Sequence, residues 1–272
     1  MSDMTAIAAK FCEVRQQQRM AFMPFVTAGD PDLAGSLDVI RELAARGVDL
    51  IEVGFPYSDP IADGPVIQAS YTRVLNDGLS IESIFDAFAE VVEEDLPPLV
   101  AMVSCALIFR FGSEEFVRRA KEAGFAGFIV PDLPGEEAGD LKALIEAAGL
   151  DLIQLVAPTT TEDRAQKILT GTSGFVYCMS VAGTTGERQT LPAALSDQLR
   201  WLRTQTDLPL AVGFGVSQPE HVDALRGAAD GVIVGSAIVR MVETLSREGA
   251  DRPARIREIG EFAGRMVDAV RG

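Results

Sequence analysis

The 272-residue sequence predicts an α/β fold built on a closed parallel sheet. Short apolar runs alternate with amphipathic helical patterns about every 25–35 residues, which is typical of repeated βα units. Most of these runs are apolar almost throughout, as expected for strands that are covered on both faces. Eight such units predict a (β/α)8 TIM barrel with an additional N-terminal helix, in a single domain over residues 1–272.

The apolar runs and turn residues also give bounds for each element. The eight predicted strands are Ala21–Thr27, Asp49–Gly54, Leu99–Ser104, Gly127–Pro131, Asp151–Ala157, Gly174–Met179, Pro209–Gly213 and Gly231–Val234. Amphipathic helices are predicted before the first strand, over Met4–Gln17, and at the end of the chain, over Ala254–Val270. A doubly wound open sheet is the alternative, but no GxGxxG motif follows the first strand, which disfavours a dinucleotide-binding fold.

Local signals mark several helix ends. Asp30-Pro31 predicts an N-cap followed by proline at the first helical position. Ser217–Glu220 has the pattern of a capping box, and Gly149 follows an apolar helical pattern as a C-terminal stop. We therefore expect helices to begin directly after Asp30 and Ser217.

Composition excludes several classes of protein. A net charge of −16 disfavours nucleic acid as a partner, because the phosphate backbone would be repelled. The apolar runs are too short to span a bilayer, and Met1–Lys10 lacks the pattern of a secretory signal. Cys12, Cys105 and Cys178 are widely spaced and form no CxxC motif. These features predict a cytoplasmic protein with reduced thiols and without a membrane partner.

The segment from Ile51 to Pro65 is the most informative for chemistry. Glu52 lies near the end of a buried strand, and Asp59 and Asp63 follow in a turn rich in proline and glycine. Burying carboxylates costs free energy, so their presence at a strand end indicates acid–base chemistry. In a TIM barrel this end of the strands is where the active site lies.

Glycine-rich segments follow the last three predicted strands, at Gly183–Gly186, Gly213–Gly215 and Gly235-Ser236. Each glycine could simply turn a tight corner, but three such loops at one end of a barrel favour a phosphate site built from backbone N–H groups. In so acidic a chain we expect amides and helix dipoles to supply most of the attraction for the phosphate. Asp132, after the fourth predicted strand, is interpreted as a residue that shapes its loop.

The positions of the lysines and the single histidine disfavour two classes of mechanism. Lys10, Lys121, Lys142 and Lys167 all fall within helical patterns, so a Schiff-base lysine at the barrel mouth is disfavoured. His221 is the single histidine, and a metal-dependent mechanism is disfavoured because no histidine cluster exists.

Three segments resemble the tryptophan synthase α subunit family: Pro24–Pro31, Glu52–Pro65 and Gly235–Val239. The similarity runs in order through nearly the whole chain. The resemblance implies retro-aldol cleavage of indole-3-glycerol phosphate to indole and glyceraldehyde 3-phosphate, with no cofactor in this chain. It also implies a partner, a β subunit with pyridoxal phosphate that receives the indole in an α2β2 heterotetramer.

The resemblance assigns roles residue by residue. Glu52 would be the general acid/base, Asp63 would bind the indole N–H, and Tyr177 would orient the reacting carbon chain. The implied phosphate site comprises Thr185, Gly186, Gly215, Gly235 and Ser236, and the implied indole pocket comprises Phe25, Ile67, Met102, Ile129, Phe214 and Ile233. Structural alternatives stay open: an arginine partner for Glu52, a turn or helix cap at Asp63, and a core position for Tyr177.

Pro56 and Asp59 match family positions that face the partner. Ser104, Ala106 and Val181 depart from the usual pattern of the family, so their effect on rate and loop closure is open. Two other functions therefore remain possible: an inactive regulatory module that binds glycerol phosphates, and a stand-alone lyase that releases free indole. A sugar-phosphate isomerase on the same barrel is a more distant alternative.

Overall fold

The computed structural model describes residues 4–60, 63–134, 138–180, 193–213, 215–247 and 249–272. The strands of the described part are β1 (Ala21–Thr27), β2 (Ile51–Gly54), β3 (Leu99–Met102), β4 (Phe125–Ile129), β5 (Asp151–Ile153), β6 (Leu155–Val156), β7 (Val176–Met179), β8 (Leu210–Gly213) and β9 (Gly231–Val234). Its α-helices are α1 (Ala6–Gln16), α2 (Leu33–Ala45), α3 (Pro65–Asn76), α4 (Ile81–Ala89), α5 (Cys105–Phe111), α6 (Ser113–Glu122), α7 (Gly139–Ala147), α8 (Glu162–Gly171), α9 (Ala193–Gln205), α10 (Glu220–Asp223), α11 (Ser236–Glu243) and α12 (Arg252–Arg271), with a 3-10 turn at Thr244–Ser246.

The strands form one parallel sheet in the order β5-β4-β3-β2-β1-β9-β8-β7-β6. Its two ends, β5 and β6, are consecutive segments of the strand predicted over Asp151–Ala157, and only Gln154 separates them. The Tyr177 N–H donates to the Gln154 carbonyl at 3.1 Å, so strand pairing continues across the break. The sheet therefore closes on itself, and the predicted TIM barrel with an additional N-terminal helix is confirmed.

Strand bounds agree closely with the sequence, with one informative shift. The bounds of β1 and β9 are those predicted, whereas β4 begins and ends two residues before its predicted range. Phe125 pairs with Leu99, and the register then shifts between Leu99 and Val100. The register is a relation between two strands, so the sequence of one strand alone does not contain it.

The predicted cap at Asp30 is wrong. Asp32 is the N-cap of α2, and its carboxylate accepts the Gly35 N–H at 2.7 Å. The Asp30 carboxylate is instead buried, where it accepts hydrogen bonds from the Ser70 hydroxyl and, at 2.7 Å, from the Arg73 guanidinium. Through these hydrogen bonds Asp30 connects the loop after β1 to α3.

The capping box predicted at Ser217–Glu220 is also wrong. Pro219 stands at the N-cap of α10 and makes no side-chain capping bond, while the Ser217 N–H donates to Nδ1 of His221 at 3.3 Å. Gly149 does follow α7 as predicted, with φ of +75°, a left-handed value that glycine adopts without strain.

Buried apolar side chains form two clusters, one on each face of the sheet. Along β1, Phe22 and Val26 face the helices, whereas Met23 and Phe25 fill the barrel interior. This alternation is the period of two expected of a strand. The inner cluster also includes three residues of α1: Ile7, Phe11 and Val14. The N-terminal helix therefore closes the base of the barrel and leaves the carboxyl ends of the strands as its mouth.

No helix in the described ranges is both long and apolar enough to cross a membrane. Within the same ranges, no group of three or more His, Cys, Asp or Glu side chains is arranged to hold a metal ion.

Candidate active site

A cavity of about 150 Å³ lies at the mouth of the barrel. Its lining consists of Phe25, Glu52, Asp63, Ile67, Met102, Tyr177, Gly215, Val216, Ser217, Ile233, Gly235, Ser236, Ala237 and Arg240. These residues come from β1, β2, β3, β7 and β9 and from segments that follow strands. The fold therefore brings into one cavity ten of the residues that the sequence predicts for the site.

Glu52 faces the barrel interior from β2. It lies between two apolar residues in register, Phe25 on β1 and Val100 on β3. Its carboxyl is 1% exposed, and Oε1 has no hydrogen-bond partner among the described residues, so no arginine there pairs with that oxygen. Burial, and secondly the charge of Asp63, raise the pKa of Glu52 well above that of an ordinary glutamate. A raised pKa favours the neutral acid, which is the form that can donate a proton.

Asp63 enters the same cavity from the loop before α3. The backbone of this residue is held firmly: its N–H donates to the Pro60 carbonyl at 3.1 Å, and the Gln68 side chain donates to its carbonyl at 2.8 Å. Both carboxyl oxygens lack a partner among the described residues, and burial raises the pKa of Asp63 to about 6. Gly64 is the N-cap of α3, so the Asp63 side chain is not the cap of that helix.

Tyr177 lies across the barrel interior and over Gly213 on the neighbouring strand β8. A Cβ atom on Gly213 would lie 2.2 Å from the Tyr177 hydroxyl oxygen, so only glycine leaves room for the phenol. Burial, followed by the charges of Glu52 and Asp63, raises the pKa of Tyr177. Its hydroxyl therefore stays protonated and can donate a hydrogen bond within the site.

A second tyrosine, Tyr71 on α3, packs at the mouth in the same way. A Cβ atom on Gly54 would lie 2.5 Å from the Tyr71 hydroxyl oxygen and 2.4 Å from Cζ of Phe25. The Tyr71 hydroxyl is buried without a partner in the described part of the chain, and burial and the Asp63 charge raise its pKa. Sequence reasoning did not single out Tyr71, although Gly54, two residues after Glu52 on the inward face, indicates a close approach.

The glycine-rich end of the cavity lies at the start of α11. Gly215 has φ of +95°, in the left-handed region where glycine is favoured. Gly235 is the N-cap of α11 and no side chain caps the helix, so the N–H groups of its first turn point towards the cavity end. Such a helix start attracts anions.

Four predicted binding residues are not among the described residues of the lining. Thr185, Gly186 and Phe214 lie outside the described residues, as does Val181. Ile129 is fully buried in the inner cluster and does not belong to the cavity lining.

A separate groove of about 810 Å³ adjoins the loop after β2. Its lining consists of Pro56, Tyr57, Ser58, Asp59, Leu75, Ser104, Ala106, Leu107, Arg110, Pro131 and Asp132. Pro56 and Asp59, which are predicted to face a partner, therefore share one surface with the departures Ser104 and Ala106. Asp132 shapes its loop as predicted, because its carboxylate accepts the backbone N–H at the start of α5 at 2.7 Å.

Comparison with known proteins identifies the family. A family model described as Tryptophan synthase alpha chain matches residues 11–271. The chain belongs to the tryptophan synthase alpha chain family. The alpha chain of Rhodopirellula baltica is 47% identical over 98% of this chain and 99% of its own length.

Solved structures agree with this family assignment. Tryptophan synthase subunit alpha from Legionella pneumophila is 30% identical, with a TM-score of 0.88, over 98% of each chain. A structure of Mycobacterium tuberculosis tryptophan synthase is 30% identical, with a TM-score of 0.88, over 99% of this chain and 100% of that one. The family predicted from the sequence is therefore confirmed.

For this member of the tryptophan synthase alpha chain family, the structure adds four cavity residues that sequence reasoning missed: Val216, Ser217, Ala237 and Arg240. The spacing of Arg240 could have predicted its place in the cavity. It follows Ser236 by four residues and so lies on the same helix face. Its presence also modifies the expectation that amides and helix dipoles supply most of the attraction for phosphate.

Proposed function

We propose that Glu52, Asp63 and Tyr177 are the catalytic residues of this chain. Membership of the tryptophan synthase alpha chain family makes the chain a carbon–carbon lyase that cleaves indole-3-glycerol phosphate to indole and glyceraldehyde 3-phosphate, as the sequence predicts. One observation supports the residue assignment above all others: two buried carboxyl groups share one cavity, and Oε1 of Glu52 and both carboxyl oxygens of Asp63 have no hydrogen-bond partner among the described residues. Such groups cost stability, which favours a role in chemistry.

Glu52 is assigned both proton transfers. Its neutral carboxyl, favoured by the raised pKa, donates a proton to C3 of the indole ring, and the ring takes up positive charge. The carboxylate that results then accepts the proton of the adjacent hydroxyl as the carbon–carbon bond breaks. The bonding electrons return to the ring, indole and the aldehyde form, and Glu52 is again neutral. One carboxyl therefore serves as acid and base without an external proton.

Asp63 is assigned the indole N–H. Its carboxylate accepts that hydrogen bond and stabilises the positive charge on the ring, for which both its oxygens are unoccupied among the described residues. Tyr177 is assigned the orientation of the carbon chain through its protonated hydroxyl. Burial raises the pKa of Tyr177, which keeps that hydroxyl a donor.

The lining of the cavity offers groups for both parts of the substrate. The apolar side chains of Phe25, Ile67, Met102 and Ile233 suit the indole ring. Ile129 belongs to the same inner cluster, and Phe214 is assigned from the family resemblance. Gly215, Gly235 and Ser236 suit the phosphate, together with Thr185 and Gly186 from the resemblance.

For the partner, we assign the groove that contains Pro56 and Asp59 to a β subunit, within an α2β2 heterotetramer. The support is that the loop after β2 supplies both this groove and, through Asp63, the cavity. The pyridoxal phosphate would belong to that β subunit, which joins indole to serine. The single-domain extent and the cytoplasmic location stay predictions.

The decisive experiment measures indole release from indole-3-glycerol phosphate, by the chain alone and with a β subunit. We expect slow release that the β subunit accelerates. Glu52→Gln keeps the size of the side chain and removes the titratable proton, and we expect it to lower kcat by about 10²–10⁴-fold, the usual contribution of a general acid or base.

The other two functions make different predictions in this assay. Fast release by the chain alone would indicate a stand-alone lyase. No release from the wild-type chain with a competent β subunit would indicate a regulatory module and would direct attention to Ser104 and Ala106. Equal rates for wild type and Glu52→Gln would refute the role of Glu52.

A further inference from the structure

The cavity has a cation at its glycine-rich end. Arg240 lines the cavity together with Gly215, Ser217, Gly235 and Ser236. It belongs to α11, the helix that begins at this end of the cavity. The resemblance described above assigns roles to Gly215, Gly235 and Ser236, but it assigns none to this arginine.

The position of Arg240 on its helix explains how its side chain reaches the cavity. Residues four apart lie on the same helix face, so Arg240 stands one turn behind Ser236. Long helical side chains lean towards the helix N-terminus, which directs the Arg240 stem back over Ser236. The guanidinium group therefore approaches the end where the first N–H groups of α11 are also directed.

Arg240 differs from the other residues around the cavity in its charge and its lack of an ion pair among the described residues. Among the described lining residues it is the single cation, and the acids Glu52 and Asp63 also line the cavity. It is solvent-exposed and forms no ion pair or hydrogen bond within the described part of the chain. Arg73 on α3 is unlike it, because its guanidinium lies 2.7 Å from Asp30 and 3.6 Å from Glu243.

An unpaired guanidinium in a chain of net charge −16 is available for an anionic ligand. Arginine binds phosphate oxygens through two parallel N–H groups, which gives geometric selectivity as well as charge. The backbone amides at Gly215 and Gly235 bind an oxyanion but do not neutralise a charge of about −2.

We propose that Arg240 is a specificity-determining residue that makes the chain select phosphorylated substrates over unphosphorylated ones. Its guanidinium neutralises the phosphate from the solvent side while the α11 amides bind it from the protein side. This inference rests on the proposed function, because it assumes that the phosphate of the substrate occupies this end of the cavity.

The test compares Arg240→Gln with Arg240→Lys and with a control, Arg257→Gln. Arg257 is exposed on α12, outside the cavity lining, and its replacement removes the same charge. Calorimetry measures the affinity of each full-length chain for glycerol 3-phosphate and for indole, which has no phosphate. Steady-state assays with indole-3-glycerol phosphate and a β subunit separate KM from kcat.

We expect Arg240→Gln to weaken glycerol 3-phosphate binding and raise the KM by about tenfold, the effect of one exposed charge-assisted hydrogen bond. Indole affinity should be unchanged, and kcat should change less than threefold. Arg240→Lys should recover most of the lost affinity, because it restores the charge. Arg257→Gln should have wild-type values.

Unchanged glycerol 3-phosphate affinity in Arg240→Gln would refute the proposal. An equal loss of affinity for indole would also refute it, because the substitution would then have disturbed the whole cavity. Failure of the proposed function has a different signature: the wild-type chain would not cleave indole-3-glycerol phosphate with a competent β subunit. The calorimetric comparison still decides the role of Arg240 in that case.

Discussion

Buried carboxyl groups at the base and at the mouth of the barrel differ in their hydrogen bonding. Asp49, directly before β2, is 3% exposed, and Glu52, three residues later, is 1% exposed. At the base, the Asp49 carboxylate accepts two hydrogen bonds from Arg19, at 2.8 and 2.7 Å, and one from the Phe22 N–H at 2.9 Å. At the mouth, Oε1 of Glu52 has no partner among the described residues.

The difference lies in hydrogen bonding, since the two groups are about equally buried. A carboxylate whose lone pairs are occupied has little free energy to gain from a ligand, so Asp49 contributes to the architecture. A buried carboxyl oxygen without a partner raises the free energy of the folded protein, and a ligand with a donor can lower it. The pattern of hydrogen bonds thus separates Asp49 from Glu52 more clearly than burial does.

The largest expected effect on stability is at the base. Arg19→Met leaves Asp49 buried with one remaining hydrogen bond, and we expect a loss of about 3–5 kcal/mol in the free energy of unfolding. Denaturant unfolding measures the loss, and kcat at a temperature where the variant is folded should be unchanged. Adding Asp49→Asn should restore part of the stability, because the amide oxygen still accepts the Phe22 N–H without a charge.

Glu52→Gln is the matched change at the mouth. We expect it to alter the free energy of unfolding by less than about 1 kcal/mol, because Oε1 has no hydrogen bond to lose among the described residues. A destabilisation as large as that of Arg19→Met would contradict the comparison.

An effect smaller than that of Arg19→Met is expected at Asp63, and its size depends on pH. The pKa of Asp63 rises from 3.8 to about 6 in the folded chain, so between these values the folded state binds the proton that the unfolded state has released. The contribution of the Asp63 carboxyl to the free energy of unfolding is therefore fully present below a pH of about 4. It is lost as the pH rises to about 6. Asp63→Asn removes this loss and should stabilise the chain by up to about 3 kcal/mol near neutral pH.

The same substitution should reduce activity. In the wild-type chain kcat/KM should fall as the pH drops below about 6, because the protonated Asp63 no longer accepts the indole N–H. Unfolding curves of wild type and variant near pH 4 and pH 7.5 test the first expectation, and pH–rate profiles test the second. A stability difference that is the same at both pH values would show that the Asp63 carboxyl is not the cause.

Effects smaller than those at Arg19 and Asp63 are expected from two glycines, one at each end of the barrel. An added Cβ would lie 2.2 Å from the Tyr177 hydroxyl at Gly213, and 2.7 Å from the Asp151 carbonyl oxygen at Gly127. We expect Gly213→Ala and Gly127→Ala each to cost about 1–2 kcal/mol of stability through overpacking. Only Gly213→Ala should also lower kcat, because it displaces Tyr177, and equal kcat values for the two variants would count against that role.

Much of the fold was readable from local patterns. Apolar runs located the strands, and β1 and β9 have the predicted bounds because both are covered on two faces and are apolar over nearly their whole length. Glu52 and Asp63 were predicted from their place at a strand end, and both line the cavity. The predicted N-cap at Asp30 is wrong because its carboxylate binds Arg73 and Ser70. These two residues are 43 and 40 residues away in the sequence.

The sequence by itself determined the alternation of strands and helices, the acids at the end of the second strand, and the family to which they belong. These are local properties, set by side-chain polarity and spacing along the chain. Only the tertiary structure decided that Asp49 finds Arg19 while Glu52 stays without a partner on Oε1, and that Arg240 reaches the cavity. The physical reason is that hydrogen bonding and electrostatics depend on distances between side chains, and those distances exist only after the barrel has closed.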